Sequence, residues 1–177
     1  MRQNLTIEEF TIKNFKITLK TPSMDNLMSF TVLINSLVAE KAQIACTEKV
    51  TVESEHKWLT QHIKSLEQDR SISIIAEVNG EVIASSDMHI QQEGKGIVGI
   101  IVKKQFRNLG IGTHMLKVII SQANQRGIKR LKLQVLATNN PAIHTYTKLG
   151  FIETQRISKQ HFRDGQYIDE IIMERIS

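Results

Sequence analysis

Apolar positions along this chain follow two rhythms, and the changes from one to the other mark out the elements. Residues 15–19 alternate apolar and polar side chains, the period-two signature of a strand with one buried face. Pro22 closes that run. From residue 24 to 38 the spacing lengthens, and Leu27, Phe30, Ile34, Leu37 and Val38 recur at helical intervals on one face. A second helix is expected after Thr51, an N-cap residue, with Glu53 and Glu55 in the first turn, where the helix dipole favours anions. Trp58, Leu59, Ile63 and Leu66 give it a stripe expected to be buried. Period two returns over 71–78, and Asn79-Gly80 is a strong two-residue hairpin signal leading to a strand over 82–90. A turn at Glu93-Gly94 precedes an apolar strand over 97–102. Helical spacing resumes at Ile111, Met115, Val118, Ile119 and Gln122, and Gly127 is placed to end it. A strand over 131–135, a helix carrying Tyr146, and strands over 151–158 and 167–176 joined at Asp164-Gly165 complete the order. That order is strand, two helices, three strands, helix, strand, helix, two strands. Residues 1–14 stand apart as an extra strand or a loose arm.

Composition narrows the class. A chain of 177 residues suits one domain spanning 1–177, and 41% hydrophobic with 23% charged residues is ordinary for a globular fold. No apolar run approaches the ~18 residues of a membrane span, and MRQNLTIEEF lacks the apolar core of a signal peptide, so no membrane partner and a cytoplasmic location are expected. The single Cys46 excludes an intrachain disulfide framework. The net charge of +5 raises the question of nucleic acid, but the basic residues are scattered, aromatics are only 5%, and no nucleic-acid motif accompanies them. His56 and His62 are six apart on different helix faces, with no HExxH or CxxC pattern, so no metal site is expected.

The chemistry concentrates in residues 96–126, where an apolar strand runs through a basic loop into a helix starting near Gly110 and Gly112. A helix start leaves backbone N–H groups without partners and adds partial positive charge. Glycines let a bulky anion approach that backbone, and Lys103, Lys104 and Arg107 add cations, so the loop is suited to phosphate. A nucleotide P-loop would need GxxxxGK and then Ser or Thr, and here Thr113 follows Gly112 directly; a dinucleotide GxGxxG would need glycine at Met115. Neither fits, and taken alone the loop is equally an ordinary helix start. The residues that are present read Arg107-Asn108-Leu109-Gly110-Ile111-Gly112, an Arg-x-x-Gly-x-Gly. About thirty residues on comes Asn139-Asn140-Pro141-Ala142, then Tyr146, Gly150 and Phe151 in register. Together and in this order they resemble the two motifs of the GNAT superfamily of acetyl-coenzyme A dependent N-acetyltransferases, strongly over 96–173 and only generally before that.

That resemblance implies an α/β (α+β) fold, a mixed and mostly antiparallel central sheet of about seven strands with about four helices on its faces. It implies acetyl-CoA as co-substrate and a primary amine as acceptor, with direct transfer. In the family the fourth and fifth strands splay and the pantetheine arm pairs with strand backbone in the gap. Carried over, Ile100 and Val102 would offer backbone to pantetheine. The loop of Arg107, Asn108, Leu109, Gly110, Ile111 and Gly112, with Thr113, would hold the pyrophosphate, and Asn139 would contact the arm. Tyr146 would be the general acid; helix periodicity alone favours reading it as a core residue. Many relatives carry a glutamate on the fourth strand, but 96–100 has no carboxylate, leaving Asp87, His89 and Glu93 as candidate bases. An amine of pKa ~10.4 is neutral in about one molecule in 2500 at pH 7 and one near ~8 in about one in ten, which favours peptide N-termini or amino acids over polyamines. The tail 163–173 resembles the C-terminal hairpin of spermidine and ribosomal-protein N-terminal acetyltransferases alike, and Asp169 and Glu170 there either meet a cationic acceptor or are solvated. A non-catalytic acyl-CoA-binding module is the alternative, and a homodimer is compatible with either.

Overall fold

Asn79 and Gly80 both lie in the left-handed region (φ 50° and 79°), the geometry that folds one strand tightly back on its neighbour. They join β3 (Ser71–Val78) to β4 (Glu81–Gln91) at the centre of the sheet. In this computed structural model, which describes residues 2–44 and 46–176, the chain continues through β5 (Lys95–Val102), α3 (Ile111–Gln125), β6 (Arg130–Leu136), α4 (Asn140–Lys148), β7 (Ile152–Arg163) and β8 (Gln166–Ile176). Before them lie β1 (Thr6–Ile12), β2 (Phe15–Lys20), α1 (Leu27–Ala39) and α2 (Val52–Glu67). The strands form one sheet in the order β1-β2-β3-β4-β5-β6-β8-β7. Every neighbouring pair is antiparallel except β5 and β6.

The sheet has eight strands, one more than expected, because the N-terminal segment folds back on β2 as an edge strand. Its register shifts between Thr6 and Glu8, and two adjacent glutamates break the alternation a sequence reading looks for; Ile7, Phe10 and Ile12 nevertheless pack on the core. The β7 strand runs on to Arg163 past an irregularity between Ile157 and His161, where Lys159 has φ 55°.

Helices cover both faces, so the central strands are buried on both sides. On one face Ile72, Ile74, Ala84 and Met88 pack with Ile17, Leu19 and the α3 residues Ile111, Met115 and Ile119. On the other, Ile75 and Val82 lie under Phe30, Leu33 and Leu37 of α1 and Leu59 and Ile63 of α2. Thr51 caps α2 as expected, accepting a hydrogen bond from the Ser54 amide (3.1 Å). Trp58, expected in the buried stripe, is 46% exposed, because helical spacing places it at the margin of that stripe facing an opening in the sheet.

Candidate active site

The opening lies between β5 and β6. These parallel strands pair only at Lys95↔Arg130, Gly96↔Leu131 and Ile97↔Lys132, then separate. On its other side β5 stays zipped to β4 from Lys95 to Val102, and just beyond it the Lys103 amide donates to Ile83 O (2.8 Å). Hydrogen-bonded pairs in an antiparallel ladder alternate, so Ile101 and Gly99 direct their backbone groups at β4, while Val98, Ile100 and Val102 direct theirs into the opening. Apart from Val102 O, which has Arg107 Nε as its donor, backbone groups there call for a partner, which an extended chain of amides would supply. The opening widens into a cleft of about 620 Å³ that reaches both faces of the sheet.

One end of the cleft meets the start of α3. Gly110 is the N-cap in the left-handed region (φ 84°), and the first intrahelical bond runs from the His114 amide to Gly110 O (2.9 Å). The amides of Ile111, Gly112 and Thr113 therefore have no intrahelical acceptor and add to the positive end of a fifteen-residue helix. Helix and strand approach closely at Gly112, where a Cβ would already reach van der Waals contact, 3.4 Å, with side-chain carbons of both Ile100 and Val102. Arg107, Asn108, Gly110, Gly112 and Thr113 line the cleft. Leu109 and Ile111 turn their side chains into the core, which leaves only their backbone to the loop. The loop cations are less free than the sequence suggested. Arg107 Nε donates to Val102 O (2.9 Å) and its guanidinium pairs with Glu40 at the end of α1, while Lys103 pairs with Glu81.

The β6–α4 junction supplies the facing wall. Asn139 caps α4 by accepting from the Ala142 amide (3.4 Å) and lines the cleft with Pro141, Ala142, Thr145 and Tyr146. The Tyr146 ring packs edge-on against Phe151 (centroids 6.0 Å apart). Its hydroxyl has no hydrogen-bond partner among the described residues, and burial pushes its pKa up to about 12, so at neutral pH the phenol keeps its proton.

Through the opening, on the α1/α2 face, Phe30, Ile34, Trp58, Ser85 and Asp87 line a second chamber with Gln134, His161, Arg163 and Glu170. Glu170 bridges Gln134 (2.9 Å) and His161 (2.8 Å). Asp169, its neighbour, faces the other way as period two requires, and accepts from the Lys159 amide. The segment joining α1 to α2 crosses the chamber. Gln43 donates to Thr138 (3.0 Å), and Arg163 donates to Ala42 O (3.1 Å) and Ile44 O (2.6 Å). Of the three candidate bases only Asp87 lines the cleft; His89 lies beside it, and Glu93 sits in the β4–β5 turn, paired with Lys95 at 2.6 Å. Sequence reasoning missed Phe30, Gln43 and His161, which reach the chamber from segments with no motif of their own.

No group of three or more histidine, cysteine, aspartate or glutamate side chains that could hold a metal occurs among the described residues, nor is any helix there long and apolar enough to cross a membrane.

The sheet is thus parted between two parallel strands, with a bare helix start at one end of the gap and a protonated phenol on its wall. The model of the acetyltransferase (GNAT) family matches residues 38–151, and the chain belongs to that family. It is an acetyl-CoA-dependent N-acetyltransferase. It is similar to the L-amino acid N-acetyltransferase AaaT of Escherichia coli (strain K12), at 25% identity over 148 residues that cover 81% of this chain and 90% of that protein. It is also similar to the ribosomal protein bS18-alanine N-acetyltransferase of the same strain, at 29% identity over 117 residues, 66% of this chain and 78% of that one. Among solved structures, the ribosomal L7/L12 α-N-protein acetyltransferase RimL in complex with coenzyme A superposes with TM-score 0.82 at 15% identity, covering 96% of this chain and 98% of that one.

Proposed function

We propose that this enzyme acetylates an α-amine, that of a peptide N-terminus or an amino acid, from acetyl-CoA held along the parted edge of β5. The observation that carries the reading is the end of β5–β6 pairing at Ile97, which leaves Val98, Ile100 and Val102 with backbone groups facing a cleft that starts at the bare amides of α3. The residues fit the co-substrate: the amides of Ile111, Gly112 and Thr113 would take the diphosphate, the β5 backbone the pantetheine amides, and Asn139 the arm beside it. When bound, acetyl-CoA supplies an acyl group activated as a thioester.

Tyr146, on the cleft wall, would act where the thiolate forms. A phenol at about 12 is a poor source of a whole proton for a thiol near ~8.5, since transfer is uphill by about 3.5 pH units, roughly 5 kcal/mol. Its role is therefore to donate a hydrogen bond that strengthens as negative charge grows on sulfur. The α-amine is favoured because an amine of pKa near ~8 is far more often neutral at pH 7 than one near ~10.4. The names of the two relatives, an L-amino acid N-acetyltransferase and a ribosomal protein bS18-alanine N-acetyltransferase, point the same way.

Incubation with acetyl-CoA and a panel of short peptides, amino acids and polyamines, following free thiol release, tests the reading. Faster release with α-amines than with spermidine is expected. A clear preference for spermidine or for lysine side chains would overturn the acceptor class.

A further inference from the structure

A row of polar side chains crosses the α1/α2 face of the sheet and ends in the cleft. On α2, His62 is buried and stacks on Trp58 (centroids 4.7 Å apart, planes 15° apart), with its Nε2 2.8 Å from the Ser73 hydroxyl on β3. His89 on β4 sets its ring edge-on to His62 at 6.0 Å, and its Nε2 lies 3.2 Å from Asp87 Oδ2. The other oxygen, Asp87 Oδ1, lies 3.6 Å from where a Cβ on Gly99 would stand. Asp87 and Gly99 are direct cross-strand partners, so their side-chain positions are neighbours on one face. Because Gly99 has no side chain, the Asp87 carboxylate stands uncovered on the cleft wall beside Ser85 and Trp58. The strand β5 bears no carboxylate here, and Asp87 brings one to the cleft wall from β4, one strand away.

We propose that Asp87 removes the proton from the acceptor ammonium, with His89 as the positioning residue that fixes its carboxylate and passes that proton to solvent. The proposal rests on the acetyl-transfer reading above. One proton leaves the ammonium for Asp87 and goes on to neutral His89. The freed nitrogen lone pair forms the C–N bond at the thioester carbonyl, and the C–S bond breaks with its electron pair staying on sulfur. The nitrogen's second surplus proton ends on that sulfur beside Tyr146. The products are an amide, a free thiol and one proton in solution.

His62 faces the pair from α2, β3 presents Ser71 and Ser73, β5 presents Ile97 and Gly99, and His161, Arg163 and Glu170 line the same chamber from β7 and β8. The hydrogen bond that the His89 imidazolium donates to the Asp87 carboxylate holds the His89 pKa above its ordinary value, whereas burial pushes that of His62 down. An imidazolium at position 89 has no room for the proton, so turnover rises with pH through the His89 titration.

The test uses the full chain with saturating acetyl-CoA and the best amine from the panel, comparing kcat against pH for wild type, Asp87→Asn and His89→Gln, with coenzyme A affinity and thermal unfolding measured in parallel. Asp87→Asn is expected to lower kcat on the order of 10²-fold with coenzyme A affinity unchanged, the size of effect typical for loss of a general base. His89→Gln is expected to keep more activity and to lose the acid limb of the profile. Turnover of Asp87→Asn within about twofold of wild type would overturn the proposal. Should Asp87→Asn fail to fold, an acid limb left in place by His89→Gln would overturn it instead. A wild-type protein that acetylates none of the α-amines refutes the acceptor reading above, which keeps the two failures apart.

Discussion

Replacing Tyr146 by phenylalanine removes one oxygen atom and nothing else, and the surroundings of that oxygen set what should follow. The ring stays packed on Phe151, and the hydroxyl has no partner among the described residues, so no donor or acceptor in the protein is orphaned. Stability should change by less than about 0.5 kcal/mol, the scale of substitutions that break no buried contact. Coenzyme A affinity should hold within about twofold, because the phenol acts on charge that appears only during transfer. Turnover is another matter. A hydrogen bond to a charged group is worth about 1.5–3 kcal/mol, and at 1.36 kcal/mol per decade this is roughly a 10- to 150-fold loss of kcat. Thiol-release kinetics at saturating acetyl-CoA and amine, with calorimetric titration of coenzyme A, measure both quantities. Unchanged kcat would remove Tyr146 from the chemistry. A tenfold loss of affinity with kcat intact would make it a binding residue instead.

Other outcomes follow from the same coordinates. Gly112→Val places two methyl groups beyond a Cβ already 3.4 Å from Ile100 and Val102, so it should destabilise the fold by about 1–3 kcal/mol in a urea titration and weaken coenzyme A binding at least tenfold; a variant that binds coenzyme A normally would contradict the close helix–strand approach. Burial lowers the His62 pKa in the folded state below its ordinary 6.5, so the unfolded chain binds more protons, and stability should fall as pH drops below about 6.5. His89 works in the opposite sense, since its raised pKa adds stability below 6.5 that is lost as pH rises through the folded value. Thermal midpoints of His62→Asn should therefore fall less steeply than wild type on acidification, and identical slopes would refute a buried neutral His62.

The parts legible in the sequence were those written in local pattern. Thr51 capping α2, the Asn79-Gly80 hairpin and the Gly110 helix start each depend on a few adjacent residues, and each stands where the spacing put it. The first strand was not legible, because Glu8 and Glu9 interrupt the period and only pairing with β2 makes it extended. The Arg-x-x-Gly-x-Gly and Asn139 to Phe151 motifs marked one half of the cleft, since those residues lie close in the chain. Neither the pairing of Arg107 with Glu40 nor the chamber wall of Phe30, Gln43 and His161 could be read there: the segments involved lie more than sixty residues apart in the first case and more than a hundred in the second, and strand order alone brings them together. The absence of a carboxylate on β5 and the three candidates Asp87, His89 and Glu93 were visible, but singling out Asp87 required the Asp87↔Gly99 register.

The central claim is that the gap opened by β5 and β6 holds the donor, with its diphosphate on the start of α3. A crystal structure of the protein with coenzyme A tests it most directly. The account predicts diphosphate oxygens within hydrogen-bonding distance, about 3 Å, of the Ile111, Gly112 and Thr113 amides, with pantetheine lying along Val98 to Val102. A diphosphate bound elsewhere, with those three amides left to water, would contradict it.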